Sequence, residues 1–338
     1  MRDRSLDFFR GIAALNIIII HTFFWSGEKY IPQIVQSFVL LIDVPFFLFL
    51  AGWSFVYCKS INRNIYHLFL IWSKWVGFVC VFGGICCFLG LRGIGDTLDF
   101  LKNLFFDVSF SAFPVFSGSM WYMPVYISVL LAIGTIILII KKTADSKNTI
   151  ANLFYIIVAM YFYNQFGGVI LNLSGQFLFY SAFFLLGYVS KDTIISKEKM
   201  IILEIVNISA ILYLGGVMNI NVLDLQRAKF PPTIIYGLAS LIFITLTIYI
   251  RPFLADNSFK WVQHVGKNAI YYYFSQGISS SLIYYWVDAA VLKRMNPVVI
   301  AGIAITINLV IATIIAEIYR LIYEKIYIKV NDFNTNIR

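Results

Sequence analysis

The sequence predicts an all-α integral membrane protein with about ten transmembrane helices and both termini in the cytoplasm. Of its 338 residues 60% are hydrophobic and only 13% are charged, and the mean hydropathy is +0.81. A soluble core does not need so much apolar surface, whereas a helix bundle in a bilayer does. Apolar runs recur along the whole chain without a long soluble insertion. We therefore interpret residues 1–338 as a single membrane domain.

The apolar runs define ten spans, several of them short enough for their boundaries to slip by a few residues. The first run follows Arg2 and Arg4 but has no small-residue cleavage site after it, so it is a retained span rather than a secretory signal. In chain order the predicted spans cover residues 6–24, 36–57, 68–90, 121–140, 150–164, 176–190, 200–218, 232–250, 269–287 and 298–320.

The loops carry a charge bias that orients the chain in the cell membrane. With the N-terminus inside, seventeen lysines and arginines fall in cytoplasmic segments and seven in outer segments, while Arg10 and Lys74 lie within spans. The bias predicts cytoplasmic termini and an even number of spans. The same rule and anionic lipid account for the net charge of +9, so we expect no nucleic-acid partner. The four cysteines have no zinc-type spacing, and we expect neither a metal site nor a disulfide framework.

The first span carries three ionisable residues, Asp7, Arg10 and His21. Such groups cost about 2.5–3.5 kcal/mol each at the centre of a span, so by default they mark function. The eleven-residue spacing of Arg10 and His21 puts them on one helix face within about 20°, and about 16 Å apart along the axis. His21 can act as a general base. Arg10 offers a fork of donors to phosphate or carboxylate, and Asp7 can hold that fork from one turn before it.

Simpler interpretations of these residues stay open. His21 can make an interhelical hydrogen bond, which is common inside membrane bundles. Asp7 and Arg10 can merely neutralise each other at the membrane boundary. The chain has two more histidines, His67 and His264, at predicted cytoplasmic boundaries where solvated imidazoles are ordinary. We expect those two to be incidental.

An arginine, ten residues and a histidine, in a first helix that opens with Leu-Asp-x-x-Arg-Gly, resemble the signature of the membrane acyltransferase-3 family. Further segments are similar to family segments in the same order along the chain. Ala51 stands where the family usually has serine, and Gln276 stands where histidine is frequent. Gln276 keeps hydrogen bonding but not acid–base chemistry, which leaves His21 as the intramembrane base. The similar segments are residues 44–55, 116–124, 183–188, 230–233 and 266–276.

The resemblance implies a family fold and an acyl-CoA donor, usually acetyl-CoA, with no bound cofactor. Arg10 would then contact the CoA end of the donor. Lys59, Arg63 and Lys74 would form a cationic pocket for its phosphates, although positive-inside flanking and a snorkelling Lys74 explain the same residues.

The acceptor site is predicted from polar and aromatic residues near the outer ends of spans. Asp43 is either a partner of His21 or an interfacial acid beside Pro45. Trp121 and Tyr122 are either belt anchors or a stacking surface for a sugar. Arg227 and Lys229 face outward and are suited to an anionic glycan or lipid phosphate. The candidate acceptor-binding residues are Asp43, Trp121, Tyr122, Arg227 and Gln276.

The resulting hypothesis is transfer of an acyl group, most simply acetyl, to a hydroxyl of a cell-surface polysaccharide or its lipid-linked precursor. His21 would act either as general base alone or as a transient acyl carrier. Some family members carry an appended soluble esterase-like domain. None follows Arg338, so we expect the stand-alone form, which transfers directly or hands the acyl group to a separate extracytoplasmic partner.

Two other classes of protein compete with this hypothesis. A transporter or flippase for a lipid-linked glycan fits the composition equally well, but the sequence shows no pair of related halves. A structural or regulatory membrane protein is disfavoured by the shared face of Arg10 and His21.

Overall fold

Helical structure dominates the protein, as its apolar periodicity predicts. A computed structural model describes residues 3–26, 30–90, 97–108, 113–143, 145–165, 174–254, 259–287 and 295–336. This part of the chain contains no strand. Its helices are α1 (Arg4–His21), α2 (Gln33–Val39), α3 (Val44–Phe55), α4 (Ile61–Phe88), α5 (Thr97–Leu104), α6 (Pro114–Ser119), α7 (Tyr122–Ile140), α8 (Ser146–Gln165), α9 (Gly175–Val189), α10 (Lys197–Val217), α11 (Leu225–Lys229), α12 (Ile234–Ile250), α13 (Lys260–Lys267), α14 (Ala269–Val287) and α15 (Pro297–Asn336).

Seven helical stretches within the described residues are long and apolar enough to cross a membrane. Each of the ten predicted spans overlaps a helix, but α9 is short, and α8 and α14 have the length without the apolarity. The count of ten and the cytoplasmic termini therefore stay predictions. The seven stretches are Arg4–Ser26, Gln33–Phe55, Ile61–Phe88, Pro114–Ile140, Lys197–Val217, Ile234–Phe253 and Pro297–Tyr327.

Short polar residues fix several helix starts. The Asp3 carboxylate accepts a hydrogen bond from the Leu6 amide at 3.2 Å. The side-chain oxygens of Ser174, Ser196 and Thr233 each accept from the backbone N–H three residues on, at α9, α10 and α12. These contacts satisfy donors that a helix leaves unpaired in its first turn.

The chain divides into two compact units, and the division passes through α1, α4, α7 and the last residue of α13. Unit 1 contains Met1–Asn16, Pro32–Tyr66 and Pro124–Gly266, and unit 2 contains Ile17–Ile31, His67–Met123 and Lys267–Arg338.

Unit 1 is built around the close approach of α3 and α9. A Cβ atom at Gly52 of α3 would overlap the carbonyl of Phe184, and one at Gly187 of α9 would overlap the carbonyl of Phe49. Glycine at both places lets the two backbones touch, which increases the dispersion contact between them. The same packing buries the ring of Phe49 and the backbone around Gly52.

On another side of unit 1, α10 packs against α12. Asn207 is buried there, and its side-chain amide donates to the Leu238 carbonyl at 2.8 Å. The remaining face of α10 is apolar and exposed, as expected for a surface in contact with lipid. It presents Ile201, Ile202, Leu203, Ile205, Val206 and Ile208.

Unit 2 is built around aromatic rings. The Trp75 ring stacks on Phe106 and Phe116 with centroids 4.8 and 5.6 Å apart, and it meets Phe274 edge-on at 5.1 Å. The indole N–H of Trp75 donates to the Asn103 carbonyl at 2.8 Å. This cluster packs α4, α6 and α14 together and leaves no donor of the buried indole unsatisfied.

The glycine contact predicts a large effect of a single methyl group. Replacing Gly52 by alanine should lower stability by about 1–3 kcal/mol, because the added carbon must push α3 away from α9. The measurement is the thermal unfolding temperature of the purified protein in detergent. Gly302→Ala is the matched control, because a Cβ at that helical glycine meets nothing within 4 Å. Equal unfolding temperatures for the two variants would contradict the described α3–α9 packing.

Candidate functional site

A buried hydrogen bond in unit 2 joins His21 to Gln276. His21 is the last residue of α1, and a π-helical segment, Thr22–Ser26, follows it directly. Its Nδ1 atom is hydrogen-bonded to Oε1 of Gln276 on α14, a residue 255 positions further along the chain. The relative exposures are 9% for His21 and 0% for Gln276. A one-turn π-helix is rare and is often found at functional sites.

The hydrogen bond selects one tautomer of the imidazole. An amide oxygen only accepts, so Nδ1 of His21 carries the proton, and the neutral imidazole then has its lone pair on Nε2. The reverse amide orientation would place a donor against Nδ1 and would leave Nε2 protonated. In the observed arrangement, Nε2 has the form that a general base requires.

A second polar network lies next to His21 in unit 2. The side-chain nitrogen of Asn308 on α15 donates to the Thr22 hydroxyl at 2.7 Å and to the Ser280 hydroxyl at 2.9 Å. All three residues are at most 1% exposed. The sequence prediction missed this network. The sequence feature that could have indicated it is Asn308, the single amide residue in the predicted span 298–320, because polar residues in a span are usually buried and paired.

Arg10 and Asp7 lie on the part of α1 that belongs to unit 1. Asp7 is 6% exposed and Arg10 is half-buried, and the Arg10 charge acts on the nearby Tyr126 of α7. Cβ atoms at Gly11 and Gly266 would overlap backbone carbonyls of the opposite helix, so α1 and α13 touch here. Both Arg10 and His21 are residues of the continuous helix α1.

Asp43 belongs to a buried ion pair in unit 1. Its Oδ2 atom lies 2.7 Å from Nζ of Lys229 and accepts from the Tyr236 hydroxyl at 2.7 Å. The side chains of Asp43 and Lys229 are 0% and 6% exposed. The expectation that Lys229 faces outward is therefore wrong, because the carboxylate draws the ammonium inward. The pairing of Asp43 with His21 stays a prediction.

The other predicted acceptor residues have different environments. Trp121 is half-buried at the start of α7. Tyr122 is 7% exposed and meets the Tyr273 ring edge-on at 5.6 Å. The Arg227 side chain is 87% exposed and lies 3.0 Å from Asp224. Of this set, Gln276 is the residue that the structure shows in a hydrogen bond with His21.

The predicted donor-binding cations are divided between the units. Lys59 and Arg63 are exposed residues of unit 1. Lys74 belongs to unit 2, where it is half-buried with its ammonium 5.0 and 5.7 Å from the ring centroids of Tyr271 and Tyr323. These aromatic faces stabilise a cation that a membrane span would otherwise disfavour.

A cavity of about 550 Å³ opens in unit 1 beside the start of α1. It is lined by Asp3, Arg4, Ser5, Tyr57, Asp192, Thr193, Ile194, Arg251, Pro252 and Leu254. Small-molecule sites typically have about 300–1,000 Å³. No motif marks this cavity in the sequence, because its residues come from four separate helix ends.

Charges around this cavity are partly paired. Arg251 lies 3.3 Å from the Asp3 carboxylate, donates to the Lys191 carbonyl and stacks 4.6 Å from the Trp53 ring centroid. Burial alone would raise the pKa of Asp3, but hydrogen bonds from Ser5 and Leu6 and the nearby cations outweigh it and lower that pKa. Asp3 is therefore a carboxylate at neutral pH, and its contribution to stability is lost as pH falls through the lowered pKa.

Comparison with known proteins agrees with the early resemblance. A family model described as an acyltransferase domain matches residues 3–317, which contain every predicted site residue. No curated protein and no solved structure matches the chain significantly.

The buried ion pair predicts a large loss of stability when one partner is removed. Lys229→Met should cost about 3–5 kcal/mol, because it leaves the Asp43 carboxylate buried without a counter-charge. The double variant Asp43→Asn/Lys229→Met should recover most of that loss, which a double-mutant cycle of unfolding temperatures measures. Arg227→Met, two residues away in an exposed pair, should cost less than about 1 kcal/mol. A Lys229→Met effect as small as that of Arg227→Met would refute the buried pair.

Proposed function

Because the chain belongs to the acyltransferase-3 family, we propose that it moves an acyl group, most simply acetyl, from acyl-CoA to a hydroxyl of a cell-surface polysaccharide or its lipid-linked precursor. Family membership and seven apolar helices of spanning length make it a multi-pass membrane acyltransferase. The donor, the acceptor, the acetyl group and the cell membrane as its location belong to the proposal.

The observation that carries the proposal is the buried pair of His21 and Gln276. Esterification of a hydroxyl needs a base that removes its proton while the oxygen attacks the thioester. A neutral imidazole with a lone pair on Nε2 suits that step, since its ordinary pKa lies near 6.5. Burial also excludes bulk water, which would otherwise compete with the acceptor hydroxyl for the acyl group.

Arg10 is proposed to hold the CoA end of the donor. It lies eleven residues before His21 on α1, which is about 16 Å along the helix axis. A donor extended along this helix would keep its anionic part at the guanidinium while its thioester reaches the imidazole. Lys59, Arg63 and Lys74 remain proposed contacts for the CoA phosphates, and Asp7 is proposed to hold Arg10 in place.

The cavity beside the start of α1 supports a site for the nucleotide part of the donor. Arg4, on its rim, lies six residues before Arg10, which is about 9 Å along the helix axis. Tyr57 and Asp192 supply an aromatic ring and a hydrogen-bond acceptor on the same rim. These are the groups that recognise a base and a phosphate together.

The acceptor is proposed to bind through Trp121, Tyr122, Arg227 and Gln276. Exposed Arg227 is suited to an anionic glycan, and the aromatic pair is suited to a sugar face. Asp43 is a weaker member of this set, because its carboxylate is buried and Lys229 and Tyr236 already contact its Oδ2 atom. A separate extracytoplasmic acyltransferase that receives the acyl group remains part of the proposal as an alternative to direct transfer.

Loss of the imidazole should abolish transfer. His21→Ala should lower acyl transfer by about 10²–10⁴-fold, because a positioned general base contributes that much. The measurement follows labelled acetyl-CoA into envelope glycan in membrane vesicles. NMR of the O-acyl content of the glycan, with and without the gene, checks the same result in cells. Exposed His67 gives the control, since His67→Ala should keep the rate. Retained transfer in His21→Ala, or glycan movement without acetyl-CoA consumption, would contradict the proposal.

The fork of Arg10 should matter more than its charge. Arg10→Lys should raise the KM for acyl-CoA by about 10- to 100-fold, because it loses a charge-assisted hydrogen bond worth about 1.5–3 kcal/mol. Steady-state kinetics at varied acetyl-CoA measures this. Arg320→Lys is the control, since Arg320 uses its fork on Glu317 and Glu324 at 2.8 Å each, away from the proposed machinery. An unchanged KM in Arg10→Lys would remove Arg10 from donor binding.

A further inference from the structure

Gln276 carries a buried hydrogen-bond donor that the described residues leave unused. Its Oε1 atom is occupied by Nδ1 of His21, whereas its Nε2 atom has no hydrogen-bond partner among the described residues. The residue is 0% exposed. A buried polar group without a partner costs about 1–3 kcal/mol, so a donor kept in this state next to a candidate base points to a ligand atom that it serves.

The backbone that carries Gln276 is held firmly within unit 2. A Cβ at the adjacent Gly277 would overlap Phe116 of α6, so α14 and α6 are in close contact at this point. The Tyr273 hydroxyl donates to the Ser119 carbonyl at 2.6 Å, and the Ser281 hydroxyl accepts from the Val115 amide at 3.1 Å. These contacts pin α14 on both sides of Gln276. The amide is therefore preorganised, as a group that stabilises developing charge must be.

One hydrogen bond holds the candidate base and the donor next to each other. Oε1 and Nε2 belong to the same planar amide, and Nδ1 and Nε2 belong to the same planar ring. Because Oε1 is bonded to Nδ1, the N–H groups of Gln276 and the Nε2 atom of His21 are kept in the same small region of unit 2. A base and an oxyanion donor that both lie within reach of one reacting carbon form the minimum set for acyl transfer.

We propose that Gln276 is a catalytic residue whose Nε2–H donates to the oxyanion formed on the thioester carbonyl. This inference rests on the proposed function. The acceptor hydroxyl gives its proton to Nε2 of His21, and its oxygen bonds to the carbonyl carbon, whose oxygen becomes negative. The negative oxygen accepts a hydrogen bond from Gln276. When the carbonyl re-forms, the carbon–sulfur bond breaks, and the leaving thiolate takes the proton from His21. The products are the ester and CoA thiol.

Binding of the acceptor is the competing role for the same donor, and the two roles differ in a measurable way. An oxyanion forms in every attack on the thioester, including attack by water. A contact with the acceptor glycan matters only when the glycan is the nucleophile. The oxyanion role therefore lowers kcat for transfer and for hydrolysis alike, whereas the binding role raises the KM for the glycan and leaves hydrolysis unchanged.

The test uses the full chain in membrane vesicles with Gln276→Glu and Gln276→Met. Glutamate keeps an oxygen for Nδ1 but has no N–H to donate, and methionine removes the donor without adding charge. Acetyl-CoA is the donor, and release of CoA thiol is followed with water alone and with envelope glycan from cells that lack the protein. Ser279→Ala is the control, because Ser279 is buried one turn further along α14 and its hydroxyl bonds only to the Gln276 carbonyl, at 3.3 Å, in the described structure.

Both Gln276 variants should lose about 10²–10³-fold in kcat for transfer and for hydrolysis, as removal of one oxyanion donor does. The KM for acetyl-CoA should stay within about threefold, and Ser279→Ala should keep wild-type rates. If hydrolysis is too slow to follow, the split between kcat and the KM for the glycan decides. Thermal unfolding checks that each variant is folded. If Gln276→Glu is not folded, Gln276→Met alone is used for the test.

Two results would overturn the proposal. One is a rise in the KM for the glycan with unchanged kcat, which would make Gln276 an acceptor-binding residue. The other is a loss no larger than that of Ser279→Ala. If the wild-type protein consumes acetyl-CoA, either result in the Gln276 variants leaves the proposed function intact. Absence of acetyl-CoA consumption by the wild type would instead defeat the proposed function itself.

Discussion

Buried polar side chains in this protein depend on pairing inside the chain, because the surrounding hydrocarbon offers no hydrogen bonds. The contact between His21 and Gln276 is the clearest case. It joins the end of α1 to the middle of α14 and gives the imidazole a defined tautomer in an apolar setting. The network of Asn308, Thr22 and Ser280 satisfies the next polar layer in the same way. The composition of α14, too polar for a lipid-facing span, follows from this demand.

The same constraint shapes unit 1 with charges instead of neutral groups. Asp43 and Lys229 neutralise each other away from solvent, and the Tyr236 hydroxyl adds a hydrogen bond to the same oxygen. Such a pair contributes less to net stability than its Coulomb energy suggests, because both ions lose their hydration. Its removal from one side is nevertheless costly. Buried polar groups in this chain therefore have two different roles. The charged pair of Asp43 and Lys229 in unit 1 is structural, whereas the neutral groups around His21 in unit 2 serve, by our proposal, in the reaction.

Acyl transfer asks for three elements that the chain can supply from its own side chains. By our proposal, Arg10 supplies a permanent cation for the donor, His21 a lone pair for the acceptor proton, and Gln276 an N–H group for the negative carbonyl oxygen. Arg10 and His21 lie on α1. Gln276 lies on α14, where it is hydrogen-bonded to His21, and α14 packs closely on α6. By our proposal, the His21–Gln276 pair needs little reorganisation when charge develops, which is a main source of electrostatic catalysis.

The sequence by itself determined the helical membrane class, the place of a helix at each apolar run, the position of Arg10 and His21 on α1, and the family. These features depend on local composition and on spacing within one helix, where periodicity is a direct guide to geometry. The count of ten spans stays a prediction, and α14, a run rich in Tyr and Ser, is largely buried in protein contacts. The tertiary structure decided which polar groups meet. Nothing local indicates that Gln276 holds His21 or that Lys229 turns inward to Asp43, because partners 255 and 186 positions apart are chosen by packing and by the cost of leaving a buried group unpaired.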